Sequence, residues 1–309
     1  MIQNANGKIN IILRENKKSE SHSHVTHGTK EHHDLKLIDE QFSNFIGLHD
    51  FKNIIKEIYA TKLMNKKREQ MGLTANKQVL HMIFKGNPGT GKTTVARELA
   101  TLLYKLKILS KGHFIEAERA DLVGEYIGQT AQKTRSLVQK ALGGILFIDE
   151  AYSLARGGHK DFGREAIDTL VKQMEDYAND FILILAGYPN EMDYFLMMNP
   201  GLKSRFPFHI PFPDYDLDQL TEIAIKIAQE REYELNERAI WKLRSHLREQ
   251  TFRQNEHFAN ARYVRNVIES AIRMQAIRLL HKDHCSLQEL MEIKAEDLQF
   301  DTSTFKQLS

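Results

Sequence analysis

The sequence predicts an α/β domain with a mainly parallel sheet between helices, followed by a smaller all-α domain. Three observations predict this. Four short apolar runs, "VLHMIFKG", "HFIEAERA", "GGILFIDEA" and "FILILAGY", alternate with longer helical stretches after Phe42, the pattern of a parallel sheet covered on both faces. Beyond "IPFPDYD" (Ile210 to Asp216) the strand signal stops and the chain reads as helices. A glycine-rich stretch joins the first apolar run to a helical one, as a phosphate-binding turn requires. We divide the chain into a polar tail (1–40), the α/β domain (41–212) and the helical domain (213–309).

The tail comes first. "KKSESHSHVTHGTKEHH" has almost no apolar side chain and reads as flexible. Its histidines, His22, His24, His27, His32 and His33, lack the cysteines or fixed spacing of a metal site, so a solvated tail is favoured over a ligand set. The earlier run "INIILR" is compatible with a docked strand or a partner peptide, and periodicity does not decide.

Composition narrows the function. The chain has 309 residues, 41% of them hydrophobic, enough to bury one large core or two unequal ones. With 43 basic and 41 acidic side chains the charge is +2, which argues against non-specific nucleic-acid binding. Cys285 is the single cysteine, so no internal disulfide forms and a reducing compartment is expected. No run approaches the roughly 18 apolar residues that span a bilayer, and "MIQNANGKIN" lacks the plan of a secretory signal. A soluble, cytoplasmic protein is expected.

"GNPGTGKT", Gly86 to Thr93, fits G-x-x-x-x-G-K-[ST] in full. In such a loop the backbone N–H groups converge on phosphates and the following helix adds its dipole. Lys92 brings a mobile charge to the β- and γ-phosphates, and the Thr93 hydroxyl suits Mg²⁺. A tight glycine turn without a ligand is the plainer alternative; all four constrained positions in the right context weigh against it. Fifty-seven residues after the lysine, the apolar run "ILFIDE" ends in Asp149 and Glu150. Asp149 is the candidate metal ligand, and Glu150 the candidate base for an attacking water.

In the helical domain four segments read as helices: "LDQLTEIAIKIAQE", "NERAIWKLRSHLRE", "ARYVRNVIESAIRMQAIRLL" and "SLQELMEI". Ser286 and Glu289 have capping-box spacing at the start of the last.

Taken with "NFIGLHDFKNIIKEI", these blocks resemble the AAA+ ATPases. "GNPGTGKTTVAR", "LVGEYIGQTAQKT", "GGILFIDEAYSL", "LAGYPNEM", "NPGLKSRF", "FPDY" and "NARYVRN" fall in the order of one branch, which holds the red-type Rubisco activases and a bacterial sporulation protein. The resemblance covers roughly residues 42 to 300. It implies an ATP- and Mg²⁺-dependent AAA+ P-loop domain with a helical lid, assembled as a homo-oligomeric ring, six-membered by analogy, acting on a partner protein.

Position by position, it implies that Phe45, Ile46 and Gly47 lie against adenine, and that Gly86, Asn87, Pro88, Gly89, Thr90, Gly91, Lys92, Thr93 and Thr94 form the phosphate loop. Arg205 in "SRF" stands where the family carries its arginine finger, reaching the neighbouring subunit's γ-phosphate. Arg262 falls at the lid's nucleotide-sensing arginine, although Arg265, three residues on, shares nearly the same helix face. The strand "FILILA" departs from the superfamily pattern of a terminal Asn or Thr: Tyr188 takes that place, with Asn190 as a substitute. Tyr126, Ile127 and Gly128 match the aromatic-hydrophobic-glycine triplet that grips a threaded polypeptide in the ring channel, and "ARGGHKDFG" (Ala155 to Gly163) would line the same channel.

Two readings compete with this one. A nucleotide-dependent switch of the clamp-loader or initiator kind would act on DNA, but the near-neutral charge and the Tyr-Ile loop oppose it. A P-loop small-molecule kinase would need an acceptor-binding lid instead of a helical domain carrying an arginine-bearing motif.

Overall fold

The computed structural model describes residues 27–300, apart from 44, 76–77, 127, 157–160, 253–257, 281 and 283, and only the backbone of 27–32. The α/β domain opens with α1 (His27–Gln41) and α2 (His49–Gln70). There follow β1 (Met82–Gly86), α3 (Lys92–Lys105), β2 (Phe114–Ala117), α4 (Arg119–Leu122), α5 (Gln129–Ala141), β3 (Ile145–Ile148), a 3₁₀ turn (Ala151–Ala155) and α6 (Gly163–Asp176). It closes with β4 (Ile182–Gly187), α7 (Pro189–Met198), α8 (Pro200–Lys203) and β5 (Phe208–Phe212).

The five strands are all parallel, in the order β2-β3-β4-β1-β5. Side chains alternate between two buried layers, as the period of two demands. Met82, Phe84, Phe147 and Ile184 join one cluster with Phe51 and Ile55 of α2 and Leu99 of α3. Ile83, Leu146, Ile148 and Leu183 face the other way, toward Val138 of α5, Leu170 of α6 and Phe195 of α7. Each such aliphatic or aromatic side chain contributes about 1.5–3 kcal/mol by leaving water.

Two differences from the sequence reading have plain causes. The run ending at Phe212 is a fifth strand, and Pro211 is tolerated in it because β5 is an edge, with no ladder partner on one side. Residues 27–40, expected to belong to a flexible tail, form helix α1. Leu35, Ile38 and Phe42 are spaced three and four apart, so one face packs, with Ile38 and Phe42 fully buried. Tyr59 on α2 donates to Asp34 (2.7 Å), and Gln41 donates to Glu98 on α3 (2.5 Å). Of the histidines judged against as a ligand set, His22 and His24 lie outside the described residues, and only the backbone of His27 and His32 is described.

The lid comprises α9 (Leu217–Gln229), α10 (Glu237–Phe252), α11 (Asn260–Leu279) and α12 (Leu287–Met291). Leu220, Ala224, Leu243, Leu247, Val264 and Ile268 form its separate core. A two-residue parallel pair, β6 (Glu234–Leu235) with β7 (Glu292–Ile293), supplements the helices. The capping box is present: Ser286 Oγ accepts the Glu289 amide (3.2 Å). Among the described residues no helix is long and apolar enough to cross a membrane.

Candidate active site

The carboxyl ends of β1, β3 and β4 open on one edge of the sheet, where a parallel α/β fold leaves its crevice. A cleft of about 280 Å³ lies there. From the phosphate loop it is lined by Gly86, Pro88, Gly89, Gly91, Lys92, Thr93 and Thr94, and from the other strand ends by Asp149, Glu150, Gly187 and Tyr188. The lid closes it with Ala261, Arg262 and Arg265. Twelve of the residues named from sequence, Tyr188 and Arg265 included, therefore meet in one place.

Lys92 stands at the first turn of α3 and folds back onto its own loop, donating to the carbonyls of Gly86 (2.7 Å) and Asn87 (2.9 Å). Burial pushes its ammonium below the usual lysine range; Asp149 opposes that shift and Arg262 adds to it. Asp149 Oδ1 accepts the Glu150 amide (2.9 Å), which orients the carboxylate. Glu150 itself has φ 45° and ψ 43°, a left-handed conformation costing a non-glycine residue about 1–3 kcal/mol. Its carbonyl accepts the Ser153 amide (2.7 Å), which fixes the turn. Thr93 and Asp149 supply a hydroxyl and a carboxylate on one cleft, an oxygen donor set that fits Mg²⁺.

Asn87 and Thr90 brace the loop from outside the cleft. Thr90 is buried and donates to the Asn87 carbonyl (2.8 Å), while the Asn87 amide donates to Asp214 (2.9 Å). Gly89 is needed where it stands: its φ is 72°, and a Cβ would lie 2.2 Å from the Ala259 carbonyl. The lid thus rests directly on the loop, with the Ala261 amide donating to Gly89 O (3.1 Å).

Tyr188 lines the cleft and exposed Asn190 does not. Burial, then the charge of Glu150, raises the Tyr188 phenol. Arg262 and Arg265 both line the cleft, and the charge of Arg262 acts on Lys92 and Tyr188. Phe45, Ile46 and Gly47 are not among its lining residues. Phe45 packs edge-on to Phe42 at 5.6 Å, and a Cβ on Gly47 would come within 3.0 Å of Gln219 on α9.

Arg205 is also outside the cleft, paired with Glu175 and donating to the Gly201 carbonyl (2.5 Å). Tyr126 is 66% exposed on the α4–α5 connection; Ile127 lies outside the described residues. Sequence reasoning missed the residues joining lid to loop: Asp214, Tyr215, whose hydroxyl donates to Thr90 O (3.1 Å), and Asn260, which bonds Asp214. "FPDY" and "NARYVRN" carried the signal, as polar residues beside a domain boundary.

This fold and this cleft define a P-loop ATPase with a helical lid resting on its phosphate loop. Residues 82–214 match the ATPase family associated with various cellular activities, and residues 216–307 match the AAA lid domain. The chain is 56% identical to stage V sporulation protein K of Bacillus subtilis over 304 residues, covering 95% of this chain and 94% of that protein. That match enters the stretch before residue 42 that the sequence reading had left unmatched. It is 42% identical to the chloroplastic ribulose bisphosphate carboxylase/oxygenase activase of Cyanidioschyzon merolae (85% of this chain, 90% of that protein). With protein CbbX of Cereibacter sphaeroides the identity is 44% (79% of each). Among solved structures the fold is similar to the RuvB Holliday-junction branch-migration motor of Thermotoga maritima, with a TM-score of 0.53, 17% identity, and 85% of this chain and 70% of that one covered. The chain belongs to the AAA+ ATPases, in the group that includes stage V sporulation protein K and the CbbX/CfxQ proteins, and it hydrolyses ATP.

Proposed function

We propose that the chain works as a ring, six-membered by family analogy, in which ATP hydrolysis remodels or threads a partner protein. The observation that carries this reading is the division of residues: Lys92, Thr93, Asp149, Glu150 and Arg262 line one cleft, whereas Arg205 stands outside it with Tyr126 on an exposed loop. A finger that does not reach its own cleft is suited to a neighbour's.

In this reading the loop amides and Lys92 hold the β- and γ-phosphates, and Phe45, Ile46 and Gly47 flank adenine. Thr93 and Asp149 hold Mg²⁺, which neutralises charge on the transferring phosphoryl group. Glu150 takes the proton of the attacking water, whose place Tyr188 bounds. Arg205 of the adjacent protomer stabilises the charge developing at the γ-phosphate, an effect worth about 10³–10⁵ in rate in other NTPases. Arg262 senses the γ-phosphate from the lid, so its loss frees the two domains to rotate. Tyr126 and Ile127 grip the partner: a flat ring and an apolar side chain wedge against an extended chain of any sequence. The likeness to a sporulation protein supports a role in sporulation, in the cytoplasm.

The test is the solution mass of Glu150→Gln with Mg-ATP and with Mg-ADP. A ring-sized assembly with ATP is expected; a monomer in both would leave Arg205 without a phosphate to reach and Tyr126 without a channel.

A further inference from the structure

We propose that Arg119 is a positioning residue that joins the Tyr126 loop to Asp161, at the end of the second glycine-rich loop, and ties both points to the strand end carrying Asp149 and Glu150. The inference rests on the channel reading above. Arg119 opens α4, just before the Tyr126 loop. Its guanidinium crosses to a different connection: Nη1 donates to the Ser153 carbonyl (2.6 Å) and Nη2 to Asp161 Oδ1 (2.5 Å). Partners 34 and 42 residues away in sequence are thus held by one planar fork, a geometry that a lysine's single ammonium does not reproduce.

The junction is tight. The Asp161 and Arg119 side chains are only 10% and 33% exposed, and Asp161 Oδ1 also accepts the Gly163 amide (2.9 Å). A Cβ on Gly163 would lie 2.0 Å from Leu154 O and 2.8 Å from Arg119 Nη1, so the start of α6 is pressed onto the guanidinium.

On the far side, the feet of the Tyr126 loop are fastened to α5. The Gly124 amide donates to buried Thr130 (2.9 Å), and Lys133 donates to the Val123 carbonyl (3.1 Å). The route is continuous: Glu150 O accepts from Ser153 N, Ser153 O accepts from Arg119, and α4 leads into Tyr126. A shift at Glu150 on phosphate loss is delivered to the Tyr126 loop and to Asp161 together.

The single native cysteine makes a direct test possible. In full-length Glu125→Cys, Cys285→Ser protein carrying an environment-sensitive dye, stopped-flow emission is followed beside phosphate release during one turnover of Mg-ATP. The dye signal is expected to track release. Adding Arg119→Gln should keep the hydrolysis rate within about threefold but cut the dye amplitude at least about fivefold. Arg119→Lys, whose ammonium can hold only one of the two partners well, should restore at most a minor part of it. An unchanged amplitude in Arg119→Gln overturns the proposal. So does a loss of hydrolysis in Arg119→Gln as large as the loss of amplitude, since Arg119 would then serve only the fold of the site. A dye silent in the parent protein would overturn the channel reading itself, and the proposal with it.

Discussion

Asn260, the first residue of α11, donates through Nδ2 to Asp214 Oδ1 at 2.8 Å and so fastens the lid to the interdomain connection. The same carboxylate receives the Asn87 amide from the phosphate loop (3.0 Å), and Asn260 Oδ1 accepts the Tyr215 amide (3.0 Å). Asn260 is fully buried, with φ at 42°. Lid, hinge and phosphate loop therefore meet at a single asparagine.

Asn260→Ala should lose about 1–3 kcal/mol of stability, because buried partners are left unpaired and the left-handed backbone keeps its strain. Asn260→Gly relieves the strain but not the lost bonds and should fall between the variant and the parent. Urea unfolding orders the three proteins. Nucleotide dissociation should quicken in both variants; an unchanged rate would mean that the clasp has no bearing on the lid's hold.

A second prediction concerns acid. His81, buried before β1, accepts the Leu183 amide at Nδ1 (3.0 Å), and burial lowers its pKa from 6.5 to about 4. The unfolded chain binds the proton first, so stability rises with pH between those values. The contribution is fully present above 6.5 and is lost as pH falls toward 4, amounting to about 3 kcal/mol. His81→Gln keeps an acceptor without titrating and should flatten this part of the stability profile. Equal slopes in both proteins would place the acid sensitivity elsewhere.

Glu150→Gln tests the base. The amide preserves shape, so ATP affinity should change by less than about threefold while turnover falls by about 10²–10⁴. Near-normal turnover would remove Glu150 from the reaction. Lys92→Ala should instead abolish nucleotide binding, measured by direct titration, since the loop loses its mobile charge.

These residues differ in how far sequence could reveal them. Lys92, Asp149 and Glu150 are legible because local pattern determines them: a fixed glycine spacing after one strand, and two carboxylates ending another. Helix α1 was hidden because Leu35, Ile38 and Phe42 are sparse among charges, and only the face they make against α2 and α3 explains the helix. β5 was hidden by Pro211, which is harmless at an edge. The Asn260–Asp214 clasp joins residues 46 apart in sequence and exists only once the domains pack. The left-handed Glu150 is likewise set by its surroundings, since nothing in "FIDEAYS" asks for that conformation.

The last prediction takes the arginine finger. Arg205 is held by Glu175 and the Gly201 carbonyl on the surface of its own protomer. An exposed pair of this kind is worth about 0–1 kcal/mol, so releasing the guanidinium to a neighbour costs little. Arg205→Ala should bind ATP within about twofold of the parent and hydrolyse it about 10³-fold more slowly. Arg205→Lys should recover little, because an ammonium lacks the planar fork that matches phosphoryl oxygens. Mixing decides whether the finger acts across an interface. Arg205→Ala protomers keep a working cleft, and Lys92→Ala protomers keep a working finger, so an equal mixture contains productive pairs at about one interface in four if rings form at random. Activity should rise toward that fraction of the parent rate, although each variant alone is nearly inactive. A mixture no more active than its components would mean that Arg205 serves only the protomer that carries it.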